Sequence, residues 1–61
     1  MEPPFQVGEE VWTDFDGILQ KVTLIECKKT KAASGFSYRT KPQMKGATGW
    51  YDSRWFQRDK P

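Results

Sequence analysis

Polar and apolar residues alternate in short stretches along this chain, and the repeat is two wherever a pattern can be read. From Glu10 to Phe15, Val11, Thr13 and Phe15 fall on one side and Trp12 and Asp14 on the other, the spacing of a half-buried strand. Phe5-Gln6-Val7-Gly8-Glu9 ends in a glycine turn that feeds it. Asp16-Gly17 follows; both residues tolerate positive φ and both flanks are strand-like, so the pair predicts a hairpin. The next strand, Ile18 to Cys27, is rich in β-branched residues. Its apolar phase runs through Ile18, Val22 and Leu24, then shifts to Ile25 and Cys27. Such a shift predicts a bulge or sharp bend, which lets one strand serve two sheets of a barrel. Lys28 to Gly35 holds no apolar residue larger than Ala and reads as a mobile basic loop. Phe36 to Lys41 alternates again, with Phe36, Tyr38 and Thr40 opposite Ser37, Arg39 and Lys41. Pro42 to Gly49 is a second loop.

Gly49-Trp50-Tyr51-Asp52-Ser53-Arg54-Trp55-Phe56 concentrates aromatic area, which a small domain uses to close a core or to present an adhesive surface. Asp-Ser-Arg at its centre suits one tight helical turn, because Asp and Ser bond their own backbone. The segment therefore reads as strand, turn, strand. No helix longer than a turn, no internal repeat and no interdomain linker is visible. The expectation is an all-β barrel over residues 5–57, with one 3-10 turn near 52–54 and flexible tails at 1–4 and 58–61.

Two of these motifs carry a resemblance to a known family. Gly49 to Phe56 is similar to the end of SH3 domains, where Gly, a variable residue and an apolar residue precede Pro-x-x-Tyr and a last apolar residue. Phe5-x-x-Gly8-Glu9-x-Val11 resembles the apolar-x-x-Gly-Asp-x-apolar turn that opens the SH3 sheet. The likeness covers most of residues 5–56 and implies a small five-stranded SH3-like barrel. It departs where proline-binding SH3 domains build their groove. Only four residues precede Phe5, Ile18 stands where a Trp is needed, and Asp52 replaces the groove proline. Trp55 alone keeps an aromatic at the groove Tyr position. Without those stacked aromatic walls, polyproline recognition is not expected. The chain looks closer to Tudor-like, KOW-like or short phage and plasmid SH3-like proteins.

Composition narrows the function classes. Sixty-one residues give a core near the lower limit for folding alone. A lone cysteine, Cys27, excludes a disulfide within the chain, and the absence of His leaves too few soft ligands for a structural zinc. Oligomerisation is then one route to stability. An unpaired Cys and no signal-like or spanning segment predict a cytoplasmic location and no membrane partner. Ten Lys and Arg stand against eight Asp and Glu, a net charge of +2. Acids dominate the first sixteen positions, whereas residues 20–45 carry seven cations against Glu26 alone, so one side of the molecule is expected to be basic.

Asp14-Phe15-Asp16-Gly17 has two oxygen positions before its glycine where a calcium loop needs three and a distant Glu; it reads as a turn. Cys27 lacks a His partner or a helix N-terminus to activate it. No convergent carboxylate pair or phosphate-cradling glycine loop is present. No catalytic residue, metal or cofactor is expected. Two binding readings remain. In the first, a protein partner or a second copy docks on Trp12, Trp50 and Trp55 with Arg39 and Arg54 in support, since exposed Trp beside Arg is a usual interface pairing. In the second, nucleic acid binds Lys28, Lys29, Lys31, Arg39 and Lys41, with Trp as stacking partners. Phe15, Tyr38, Tyr51 and Phe56 are expected in the core.

Overall fold

The computed structural model describes residues 2–45 and 49–61. Met1 of the expected tail and residues 46–48 of the expected Pro42–Gly49 loop lie outside the described residues. Strands β1 (Glu10–Thr13), β2 (Gln20–Lys29), β3 (Phe36–Lys41) and β4 (Tyr51–Asp52) form one antiparallel sheet in the order β1-β2-β3-β4, curled into a half-barrel. A 3-10 turn, Ser53–Trp55, follows β4 directly, one residue later than expected. Asp52 caps it by accepting the Arg54 N–H at 3.1 Å.

Four strands stand where five were expected, among the described residues. After the 3-10 turn the chain returns to β1 through a single bridge: the Trp12 N–H donates to the Gln57 carbonyl at 2.7 Å and the Gln57 N–H to the Trp12 carbonyl at 3.0 Å. Gln57 to Lys60 offers no apolar side chain to the interior, so nothing drives a longer pairing.

The β1–β2 connection is also longer than a two-residue hairpin. Register pairs Thr13 with Gln20 and leaves Asp14–Leu19 as the loop. The Gly17 N–H donates to the Asp14 carbonyl at 2.9 Å, and Gly17 takes φ +87°, a conformation that favours glycine. Asp16 accepts from the Gln20 amide at 3.1 Å and from the Lys45 N–H at 3.0 Å, which braces the loop open. Ile18 and Leu19 therefore point to solvent, 67% and 40% exposed, and Ile18 does not open the apolar phase of β2 as expected.

The break in β2 falls where the phase shift predicted it. Register slips between Leu24 and Glu26, leaving Ile25 unpaired. Ile25 is the bulged residue and is 44% exposed, not inward; Cys27 takes the inner position opposite Tyr38 and packs on the core. Beyond the bulge β2 continues to Lys29, so Lys28 and Lys29, expected in a loop, pair with Ser37 and Phe36. What remains is a hydrogen-bonded turn: the Thr30 N–H donates to the Gly35 carbonyl at 3.0 Å and the Gly35 N–H to the Ala32 carbonyl at 2.8 Å.

Phe5, Val11, Val22, Leu24, Phe36, Tyr38, Met44, Tyr51 and Phe56 fill the concave side. Phe5, Tyr38 and Phe56 meet edge to face with centroids 6.0–6.4 Å apart, a geometry that adds about 0.5–1.5 kcal/mol per pair beyond burial. The Tyr51 hydroxyl donates to the Met44 carbonyl, tying the β3–β4 connection to the floor of the core.

Candidate functional site

Strand alternation sorts the candidate residues onto two separate surfaces. The first lies at the end of the sheet where the 3-10 turn meets the β1–β2 loop. Phe15 packs on the core from that loop, with its ring 4.9 Å from Tyr51 and 4.8 Å from Trp55, edge to face in both cases. Trp55 is therefore held in place from beneath while 46% of its surface stays in water. Beside it Asp52, Arg54 and Trp55 line a depression of about 400 Å3. The loop that carries Phe15 also exposes Ile18 and Leu19. The loop that supports the indole through Phe15 thus carries exposed apolar side chains of its own.

The charges of this end are set by the turn. Burial pushes the Asp52 carboxyl up, but hydrogen bonds from Ser34 and from the Arg54 backbone, with the Arg54 charge, outweigh it and hold the group below the usual carboxylate range. Asp52 stays ionised at neutral pH as a cap and a fixed negative point. Arg54, exposed, extends its guanidinium beside it.

The second surface is the convex face of the sheet. Side chains that alternate with the core residues project there: Glu10 and Trp12 from β1, Lys21, Thr23, Glu26 and Lys28 from β2, Arg39 and Lys41 from β3. Trp50, half-buried, precedes Tyr51 and continues the register opposite Arg39. The Lys28 Nζ lies 4.1 Å from the centroid of the Trp50 ring and the Arg39 guanidinium carbon 5.5 Å from it. Arg39 also pairs with Glu26 at 3.5 Å. At the other edge, Trp12 has Lys60 at 5.4 Å and Lys21 at 5.9 Å from its ring, and Lys21 reaches Glu10 at 3.9 Å.

The residues expected on one partner-binding face are thus divided. Trp55 and Arg54 share the end of the sheet; Trp50 and Arg39 share the convex face near β4; Trp12 occupies its far edge. Of the expected basic set, Lys28, Arg39 and Lys41 come together on the convex face. Lys29 is paired opposite the inward Phe36, and Lys31 sits in the turn. Sequence reasoning missed the contact of Lys28 with Trp50. Its signal was the bulge itself, because restarting the alternation after Ile25 puts Glu26 and Lys28 outward together. It also missed Ile18 as surface, since its β-branching reads alike in a strand and in a braced loop.

Among the described residues, no cluster of three or more His, Cys, Asp or Glu side chains is placed to hold a metal ion, and no helix is long and apolar enough to cross a membrane. Comparisons with protein families, curated proteins and solved structures return no significant match to this chain.

Proposed function

We propose that this chain is a non-catalytic, cytoplasmic SH3-like module that binds a protein partner through the end of the barrel centred on Trp55 and Arg54. The SH3-like assignment is supported by the curled antiparallel sheet, the bend in β2, the 3-10 turn between Tyr51 and Phe56, and the Trp12–Gln57 bridge where a last strand would lie. The binding assignment rests on one observation. Trp55 stands half in water on the Phe15 ring and forms one wall of the depression that Arg54 and Asp52 complete. Pre-anchoring lowers the ordering cost on association, and Trp with Arg at the centre of a patch is the composition of interface hot spots. Ile18 and Leu19 are exposed on the same loop that carries Phe15. A second copy of the chain is one such partner.

The test begins with the mass of the isolated chain by sedimentation across a concentration series. Peptides are then selected from a random display library on the immobilised protein and mapped by amide chemical shifts. Enriched peptides, or self-association, should perturb residues 15–19 and 52–55. Trp55→Ala should weaken the complex by about 30-fold or more, the usual effect of a central Trp, with the amide spectrum still folded. Neither enrichment nor self-association, or binding indifferent to Trp55→Ala and Arg54→Ala, would overturn the reading.

A further inference from the structure

We propose that the convex face of the sheet is a separate binding site for single-stranded nucleic acid, with Lys28, Arg39 and Lys41 on the phosphates and Trp50 beside the bases. The proposal does not depend on the Trp55 surface. It starts from charge. Residues 24–41 carry Lys28, Lys29, Lys31, Arg39 and Lys41 against Glu26, and Glu26 is already paired with Arg39. Among the described residues, no carboxylate lies within ion-pair distance of Lys28 or Lys41. Of the acids, Glu9 holds Arg58 and Asp16 braces the β1–β2 loop, while on the same face Glu10, beyond Thr23, takes Lys21, and Asp52, opposite Ser37, caps the 3-10 turn. The part of the face where β2 meets β3, with Lys28, Arg39 and Lys41 against Glu26, is left positive.

Geometry then selects the class of polyanion. Lys28 lies opposite Ser37 and Lys41 opposite Thr23, so the backbone positions of the two lysines are four residues apart along β3. At the strand rise this is about 13 Å, room for more than one phosphate of a strand. Arg39 lies between them, and both Lys28 and Arg39 approach the Trp50 ring. Cations flanking an indole on a sheet surface are the two elements of single-strand binding: a charged track for the backbone and an aromatic for the bases. A duplex hides its base faces and would use the charge alone. Rigid strands hold these side chains, whereas Lys31 projects from a turn and Lys29 from the strand end. Those two lysines are peripheral here.

The probe is a fluorescent oligothymidylate of roughly ten nucleotides, within the footprint of a small β-domain, titrated with the whole chain at ~50 mM and ~200 mM salt. Binding should weaken with salt. Lys28→Glu with Lys41→Glu should reduce low-salt affinity by about 10-fold or more and flatten the log–log salt slope by roughly 1.4, two single-strand phosphate contacts' worth. A charge-matched pair at the other surface, Lys45→Glu with Arg54→Glu, should change affinity only modestly, and Trp55→Ala should leave it alone. Trp50→Phe keeps a ring and should retain most of the affinity, while Trp50→Ala, checked for folding by its amide spectrum, should lose it. No binding at low salt, equal losses from both charge pairs, or duplex or heparin bound as tightly as the oligothymidylate would each overturn the proposal.

Discussion

The Tyr38 hydroxyl holds both backbone groups of Phe5: it donates to the carbonyl at 2.5 Å and accepts the N–H at 3.0 Å. Tyr38 comes from the middle of the sheet and Phe5 from the segment before β1, thirty-three residues apart. One phenol thus seats the N-terminal arm and brings the Phe5 ring against Tyr38 and Phe56. Tyr38→Phe keeps the ring and removes the oxygen, leaving two backbone groups unpaired in a buried place. The expected cost is about 1–3 kcal/mol, read as a lower urea midpoint with an unchanged slope. Faster amide exchange at Phe5 should accompany it. A midpoint that does not move would show that the arm is held by its apolar contacts alone.

The same phenol should govern alkaline stability. Burial, with a smaller contribution from the neighbouring Cys27, pushes Tyr38 up to about 12 from an ordinary value of 10. Folded protein then keeps a proton that the unfolded chain has released. The associated stability is intact below pH 10 and is lost as pH rises from 10 towards 12. Thermal midpoints across that window should fall for the unmodified chain and fall less steeply for Tyr38→Phe. Some slope should persist, since burial also raises Tyr51.

At the acid end the sign reverses. The Arg58 guanidinium, bonded to Glu9 at 2.7 Å and 3.3 Å, lowers the Glu9 carboxyl below the usual carboxylate range, and the Gln6 N–H at 2.6 Å adds to this. Asp52 is lowered as well. Both groups favour the folded state above the ordinary carboxylate pKa, and the contribution disappears as pH falls through their lowered values. The Glu9 shift comes mainly from one ion pair at the surface with Arg58, so the clearest readout is local. Carbon-detected titration should place the Glu9 midpoint below the ordinary carboxylate range, and Arg58→Ala should move it up while leaving Asp52 in place. An unchanged Glu9 midpoint in that variant would remove Arg58 as the cause.

Periodicity carried most of the fold into view, and its failures have local causes. The alternation of Phe36–Lys41 is strict, and β3 has the bounds it implies. The β2 bulge was visible because Leu24 and Ile25 are adjacent apolar residues in a period-two pattern. Which of the two turns outward was not, since either can be the unpaired residue until β3 fixes register. Asp16-Gly17 was over-read as a tight hairpin because its competitor is tertiary: the Asp16 carboxylate caps the Lys45 amide, twenty-nine residues away. Trp55 was visible as a candidate through its position after the turn. Its support by Phe15 was not, because that contact joins the β1–β2 loop to a segment forty residues on.

The tryptophans offer a direct check on how the two surfaces are divided. Trp55 is the most exposed of the three, whereas Trp12 and Trp50 are half-buried with cations against their rings. Trp12→Phe with Trp50→Phe leaves Trp55 as the only indole; its emission should be red-shifted and readily quenched by acrylamide. Trp12→Phe with Trp55→Phe isolates Trp50, which should quench less and respond to Lys28→Ala through the loss of the ammonium 4.1 Å from its ring. Trp55→Ala removes the edge-to-face contact with Phe15, about 0.5–1.5 kcal/mol, and the burial of the covered half of the indole, so its stability cost should stay below the roughly 3–5 kcal/mol of emptying a core aromatic site. A folded Trp55→Ala variant with a small loss marks the side chain as surface held ready for another molecule. Trp55 emission that is blue and shielded from acrylamide in the monomer would instead make it part of the core, and the partner-binding surface around it would be gone.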